Sequence, residues 1–523
     1  MAVRTGDELD NVIDGTGDPD TLSGLAGNDE LYGAGGNDLL FGGFDTDYLD
    51  GGDGNDTLIG GGDAGDGLSG GNGNDSLQAA DWFIGGAGND TFDGATGSID
   101  GYEHVHYDDG GSMGVIVNLS GATKTVGSVT LAAGEARDNF GNRDVLIDIE
   151  GVSGSQFADT FFTAATPGEW YLDWNGATGF DGNDTINGSA GMSQARYEQD
   201  WYHGGNQVGI IANLDSVAHG GQAAGTIRDG FGSVDRVISV EIVTATFFDD
   251  TLYGGAGENE VFEGFAGDDL IDGGASHDVA RYNFDAEAAT YAGPPGVGAG
   301  DARVLVNLSA AAAVLGGVNV AAGTALDPFG DTDTLIRIEE AWGTEKHDVM
   351  LAGNTATTFW GNLGNDSLTG GSAADALIGD VGNDTLTGRE GNDYLEAGNG
   401  KDRLLGGLGA DTLTGGVNAD TFVFKGLSES GITTASRDQI TDFSDASDKF
   451  DVSGIDANAA TGANDAFTAI ITGAFTAVGQ IRAQQSGADV ILAFNTDADT
   501  GAEMTLLVLE ATVAEFGLSD FLL

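Results

Sequence analysis

The residues with the plainest capacity for chemistry are aspartates that recur every nine positions. From Gly15 the chain reads GTGDPDTLS, then GLAGNDELY from Gly24, GAGGNDLLF from Gly33, GGFDTDYLD from Gly42 and GGDGNDTLI from Gly51. After one extra residue, Gly60, it continues GGDAGDGLS from Gly61 and GGNGNDSLQ from Gly70; six residues containing Trp82 intervene before GGAGNDTFD from Gly85. The phase returns as GNLGNDSLT from Gly361, GSAADALI after Gly370, GDVGNDTLT from Gly379, GREGNDYLE from Gly388, AGNGKDRLL from Ala397, GGLGADTLT from Gly406 and GGVNADTFV from Gly415. A weaker copy starts at Gly6, and isolated ones at Gly179, Gly254, Gly264 and Gly273. Column six is Asp almost throughout, column eight is apolar, and columns one, two and four favour Gly. Such a unit offers carboxylate and turn-carbonyl oxygens only. That donor set suits Ca²⁺, which takes six to eight oxygens at about 2.3–2.6 Å, better than Mg²⁺, which keeps its waters. With no Cys and only six His, the sequence argues against Zn²⁺ or Cu²⁺ sites.

The elements that position these oxygens follow from the other columns. Wrapping an ion in a tight turn requires positive φ, which Gly adopts freely. Columns seven to nine, polar–apolar–polar, predict a short strand with one inward side chain. One repeat buries almost nothing, so only a stack is stable. A flexible Gly-rich linker has no reason to hold Leu in column eight and Asp in column six through so many copies.

These repeats resemble the GGxGxDxUx nonapeptides of the RTX (repeats-in-toxin) family. The resemblance implies an all-β fold: a right-handed parallel β-roll or β-solenoid with two repeats per turn, Ca²⁺ between the GGxGxD loops and a C-terminal β cap. Carried over residue by residue, the metal ligands are Asp20, Asp29, Asp38, Asp47, Asp56, Asp66, Asp75 and Asp90, then Asp366, Asp375, Asp384, Asp393, Asp402, Asp411 and Asp420. Asp184, Asp269 and Asp278 join them from the isolated copies. Loop glycines of columns one and four complete the set: Gly24, Gly27, Gly33, Gly36, Gly51, Gly54, Gly379, Gly382, Gly388 and Gly391. Asn11 and Asn259 depart from the pattern in column six.

Composition agrees with ion-dependent folding. The 523 residues carry 84 Asp+Glu against 18 Lys+Arg, a formal net charge of −66, with 91 Gly. Such a chain repels itself and lacks the basic surface needed for nucleic acid. Bound cations supply the counter-charge. Met1–Asp10 shows neither the basic nor the apolar part of a signal peptide, and no apolar run reaches the roughly 18 residues of a transmembrane segment.

Between the arrays a longer period runs three times. Tyr107, VIVNLS (Val115–Ser120) and NFGNRDVLIDIE (Asn139–Glu150) are matched by Tyr197, GIIANL (Gly209–Leu214) and GFGSVDRVISVE (Gly230–Glu241), and by Tyr282, VLVNLS (Val304–Ser309) and PFGDTDTLIRIE (Pro328–Glu339). Nine residues after each final Glu stands an Asp: Asp159, Asp250 and Asp348. The period-two alternation predicts half-buried strands, and hence extra, longer solenoid turns with loops between them. They resemble the insert units of large RTX proteins, whose loops would serve spacing and capping or a binding surface.

After Thr421 larger side chains appear. DTFVF (Asp420–Phe424), RDQITDF (Arg437–Phe443), DKFDVSGID (Asp448–Asp456) and the final LSDFLL (Leu518–Leu523) are similar, in order, to the C-terminal domain of serralysin-type metalloproteases. That resemblance implies a cap on the roll and an uncleaved signal read by the type I secretion machinery. The expected organisation is an N-terminal RTX roll over 6–93, long inserts over 94–353 with isolated RTX turns at 179–187 and 254–281, a C-terminal roll over 361–423, and a cap and secretion domain over 424–523.

Signs of an enzyme are sparse. The HExxH zinc motif of serralysins is absent. His104 and His106 lie two apart and would share one face of a strand. G-x-S-x-G occurs at Gly67–Gly71 and Gly110–Gly114, where a glycine-rich chain produces it by chance. Aromatic pairs such as Trp170 with Trp174 and Trp201 with Tyr202 suit packing or stacking on sugars. The reading is a secreted, extracellular, non-enzymatic protein that folds on Ca²⁺, structural or adhesive, with a cell surface or glycan as partner. The alternative is an extracellular hydrolase or polysaccharide-acting enzyme with its site within residues 100–350.

Overall fold

The computed structural model describes residues 2–61, 65–94, 103–108, 110–163, 176–188, 192–200, 208–257, 259–283, 302–444, 446–461 and 464–523. The chain divides into two compact units, Met1–Phe262 and Glu263–Leu523. Both are built from short strands stacked in parallel, the architecture of a parallel β-roll.

In the first unit each turn is two nonapeptides, so alternate repeats feed opposite sheets. One sheet stacks Leu22 on Leu40, Leu40 on Leu58, Leu58 on Leu77 and Leu77 on Phe92. The other stacks Leu31, Leu49, Leu68, Phe83 and Val105. Every one of these side chains is buried. A single apolar residue per repeat thus makes a continuous two-sided ladder, with about 4.8 Å between neighbouring rungs. Phe83 belongs to the six residues that the sequence reading set aside as an interruption. It pairs with Leu68 and fills a core position, so Ala79–Ile84 is a shortened repeat whose column-six residue is Asp81.

The long segments differ from simple extra turns. In the first, Ile116–Asn118 runs parallel to Thr160–Phe162 on one side and antiparallel to Glu135–Arg137 on the other. Glu135–Arg137 is also antiparallel to Arg143–Ile147, which rejoins the parallel stack beside Thr91–Asp93. The same inserted antiparallel strand recurs as Thr226–Arg228 in this unit and as Thr324–Leu326 in the second. The period-two pattern gives strand identity but not direction. Arg143–Ile147 is half-buried as expected, whereas Ile116–Asn118 and Leu305–Asn307 are buried on both faces. Around Leu305 the reason is a hairpin, Ala313–Leu315 with Val318–Val320, whose Leu315 and Val320 pack over it together with Leu351. The Asn of each V-x-V-N-L motif braces the loop: Asn118 Nδ2 donates to the carbonyls of Ala122 at 2.9 Å and Ala132 at 2.7 Å, and Asn307 Nδ2 to those of Ala311 at 3.0 Å and Ala321 at 2.8 Å.

In the second unit one ladder runs Met350, Leu368, Leu386, Leu404, Phe422, Phe450 and Phe521. The other runs Ala341, Phe359, Leu377, Leu395, Leu413, Ile440 and Val508. Phenylalanine replaces leucine as the array ends. Phe443 stacks on Phe450 with centroids 4.6 Å apart, and Phe450 on Phe521 at 5.2 Å, closing the core with large aromatic surfaces. An antiparallel meander of Gln480–Ser486, Asp489–Asn495 and Met504–Val508 completes the cap.

Candidate calcium centres

Every column-six aspartate singled out in the sequence is 0–3% exposed. Burying a carboxylate is costly unless its oxygens are satisfied. Half of that need is met inside the stack. Asp20 N–H donates to Asp38 Oδ1 at 2.6 Å, Asp38 to Asp56 at 2.7 Å, Asp56 to Asp75 at 2.7 Å and Asp75 to Asp90 at 2.8 Å. The late array repeats the pattern from Asp366 to Asp384 at 2.7 Å, Asp384 to Asp402 at 2.7 Å and Asp402 to Asp420 at 2.9 Å.

The other oxygen is the informative one. Oδ2 of Asp29, Asp38, Asp47, Asp56, Asp75 and Asp90 has no hydrogen-bond donor, and neither has that of Asp184, Asp366, Asp384, Asp393 or Asp411. Each faces the glycine cradle of its own loop. A Cβ on Gly51 would lie 2.6 Å from Asp56 Oδ2 and 2.7 Å from the Gly70 carbonyl oxygen of the next turn. On Gly379 it would lie 2.5 Å from Asp384 Oδ2 and 2.7 Å from the Ala397 carbonyl oxygen. The first column is Gly because side-chain carboxylate and main-chain carbonyl oxygens converge there. Gly54, at φ +154°, shows the second use: a Cβ would collide with the Gly36 carbonyl oxygen stacked against it. Orphaned carboxylate oxygens among carbonyl oxygens fit a hard cation. Without one, burial pushes these carboxyls up: Asp47, Asp56 and Asp75 to about 6, Asp90 to about 8 and Asp366 to about 9.

Some members of the column differ. Asp20 Oδ2 accepts the Thr16 hydroxyl at 2.7 Å, and Asp375 Oδ2 the Gly371 N–H at 2.6 Å, so both are satisfied by the chain itself. Five further residues take column-six places that the nine-residue count missed. Asp144, Asp235 and Asp333 accept the N–H of Asp90, Asp184 and Asp269 at 2.9, 2.8 and 3.2 Å. Asp438 and Asp448 accept those of Asp411 and Asp420 at 3.0 and 3.1 Å, carrying both columns into the cap. Each is followed two positions later by an apolar core residue: Leu146, Val237, Leu335, Ile440 or Phe450. That D-x-apolar signature was the available signal.

The family model for RTX calcium-binding nonapeptide repeats, written for four copies, matches residues 5–40, 32–66, 41–77, 69–98, 178–191 and 244–280. The model for the Peptidase M10 serralysin C-terminal region matches residues 336–522. The chain carries RTX calcium-binding repeats followed by a serralysin-type C-terminal domain. The RTX match includes the isolated turns around Asp184 and Asp269, and the serralysin-type match takes in the whole late array. Neither model describes a protease domain. No curated protein matches the chain. Among solved structures, the R3 subunit of the AlgE6 mannuronan C5-epimerase from Azotobacter vinelandii is similar at 23% identity and a TM-score of 0.17, over 30% of this chain and 77% of that one. The extracellular lipase LipA from Serratia marcescens is similar at 18% identity and a TM-score of 0.17, over 54% of this chain and 39% of that one.

Outside the RTX columns, neither G-x-S-x-G match has the setting of a nucleophile. Ser69 sits on the strand Gly67–Asn72 and Ser112 in a loop, whereas a nucleophile elbow needs a strand–turn–helix. The described residues hold no helix beyond two short 3-10 turns at Val513–Glu515 and Leu518–Asp520. His104 and His106 do share a strand face, 4.7 Å apart between ring centroids; His104 Nε2 is 2.9 Å from Ser153 Oγ, and His106 packs on Trp82. The aromatic groups at Trp170–Trp174 and Trp201–Tyr202 lie outside the described residues. No described helix is long and apolar enough to cross a membrane.

Proposed function

We propose that this chain is exported unfolded through type I secretion machinery, folds on Ca²⁺ outside the cell, and then serves a structural or adhesive role without catalysis. The observation that carries the reading is the row of buried aspartates whose Oδ2 atoms lack donors and meet carbonyl oxygens at glycine cradles. In this reading the column-six aspartates and the column-one and column-four loops are the ligands. One carboxylate from each of two successive turns, with the carbonyls between them, supplies the oxygens. Where Ca²⁺ is scarce the columns repel and the arrays stay open; where it is abundant, binding drives folding. The serralysin-type domain, with Phe521 and Leu522 paired to Phe450 and Asp451, supports both the capping and the export roles. The long segments act as spacers between arrays and present the surface for a cell-surface or glycan partner.

Far-UV circular dichroism of chelator-treated protein during titration tests the reading. A cooperative gain of β-signal with Ca²⁺, and none with equal Mg²⁺, is expected. A chelated protein that is already fully folded, and unmoved by Ca²⁺, overturns it.

A further inference from the structure

The second long segment buries more negative charge than the nonapeptide pattern explains. Asp184, Asp200, Asp229 and Asp235 are all 0–2% exposed. Only Asp184 belongs to a nonapeptide; the other three lie outside both family matches. Asp235 is accounted for: its Oδ1 accepts the Asp184 N–H at 2.8 Å and its Oδ2 the Tyr197 hydroxyl at 3.0 Å.

Asp200 and Asp229 are not. Both grip one short loop from its start. Asp200 Oδ2 accepts the Gly230 N–H at 3.0 Å, and Asp229 Oδ1 accepts those of Phe231, Gly232 and Ser233 at 3.0, 2.7 and 2.7 Å. The two carboxylates thus hold successive N–H groups of one loop, and Asp229 is close enough for its charge to act on Asp200. Their remaining oxygens, Asp200 Oδ1 and Asp229 Oδ2, are buried without a donor. The Val208 carbonyl oxygen lies on the same side, 3.6 Å from where a Gly230 Cβ would stand. Arg196, the buried cation of this segment, is engaged by Glu198 Oε1 at 3.0 and 2.5 Å. Two adjacent buried anions, each with an idle oxygen, repel strongly in a medium of low polarity.

We propose that Asp200 and Asp229, with the Val208 carbonyl on the same side, form a Ca²⁺ site of the long segment, separate from the nonapeptide sites. The donors are oxygens only, as a hard divalent cation requires. The first long segment closes the same loop with a donor of its own. There Asp138 has its Oδ2 closed by Asn142 Nδ2 at 3.1 Å, and the residue three after the segment's Tyr is Gly110, not an acid. The second segment has Ser233 in place of Asn142 and Asp200 in place of Gly110, so it removes the donor and adds a second carboxylate.

The test is a count of bound Ca²⁺ per chain in the full-length protein, by equilibrium dialysis and elemental mass spectrometry. The double variant Asp200→Asn, Asp229→Asn is expected to bind one ion fewer than the parent, with the nonapeptide ions retained. An unchanged count in a folded variant overturns the site. Should the variant not fold, crystals of the parent grown with Tb³⁺ decide: an anomalous peak touching both carboxylates supports the site. Filled nonapeptide loops with no peak between Asp200 and Asp229 overturn it while leaving the array reading intact.

Discussion

The nonapeptide arrays and the long segments place aspartate in the same column but complete it differently. In the arrays column two is usually Gly, and the second carboxylate oxygen of most column-six aspartates has no donor. In the long segments that position is Ser or Thr. Ser155 donates its N–H to Asp159 Oδ2 at 2.7 Å and its hydroxyl to Oδ1 at 2.8 Å. Thr246 does the same for Asp250 at 2.9 and 3.0 Å, and Thr344 for Asp348 at 2.6 and 3.0 Å. Tyrosine provides a second internal donor. Tyr197 and Tyr282 place their hydroxyls 3.0 Å from Asp235 and Asp333, and Tyr107 is buried beside Asp144. One backbone geometry therefore exists in two chemical versions: one leaves a carboxylate oxygen open, the place proposed above for Ca²⁺, and one closes it with the chain's own protons.

The largest expected effect breaks the two versions apart. With chelator, amide hydrogen exchange should rise to nearly unprotected rates across residues 15–61 and 361–423, while Arg143–Ile147, Val234–Ile238 and Thr332–Ile336 keep measurable protection. Equal loss everywhere would mean that the internal donors do not hold the long segments by themselves.

The pH dependence should reverse between the two metal states. In metal-free folded protein Asp90 and Asp366 are raised to about 8 and about 9, and Asp384 to about 6, against 3.8 for the unfolded carboxyl. The folded state then holds protons that the unfolded state has lost. Its stability is fullest below about pH 4 and declines as pH rises through about 6 to about 9. With saturating Ca²⁺ the ion must displace those protons, so stability gained from Ca²⁺ grows over the same range. Residual β-signal in chelator at pH 5 and pH 7.5, and urea unfolding at both pH values with saturating Ca²⁺, read the two slopes.

The smallest effect sharpens the comparison at single residues. Tyr197→Phe should cost about 1–3 kcal/mol, by leaving a buried Asp235 oxygen without its donor, and the cost should be the same with or without Ca²⁺. Asp384→Asn should instead lower Ca²⁺ affinity and shift the Ca²⁺ midpoint of folding, with little effect in chelator. A Ca²⁺-dependent penalty for Tyr197→Phe would count against the division.

The arrays were legible because one function repeated at a fixed interval exposes itself as a column: Asp six, Leu eight, Gly one. Wherever the interval changed, legibility fell. Phe83 and Asp81 escaped because the repeat around them is short, and Asp438 and Asp448 because larger loops separate them from the array. The antiparallel strands Glu135–Arg137 and Thr324–Leu326 could not be read at all, since alternation is the same in either direction. Asp200 and Asp229 stood among 84 acids, and only burial and the absence of a donor distinguish them.

The column of aspartates also has a direction. Asp38 donates its N–H to the carboxylate of Asp56 and accepts at its carbonyl from Thr57, so both of its main-chain groups look to the following turn. A partial stack therefore leaves its last column-six N–H and C=O groups open on the C-terminal face, just as residues such as Leu39, whose N–H reaches back to the Asp20 carbonyl, need the turn before. Asp438 and Asp448 are what the last turns of the late array find there. The cap is thus a docking edge as well as a lid: its two aspartates accept the N–H groups that the end of each column would otherwise leave open.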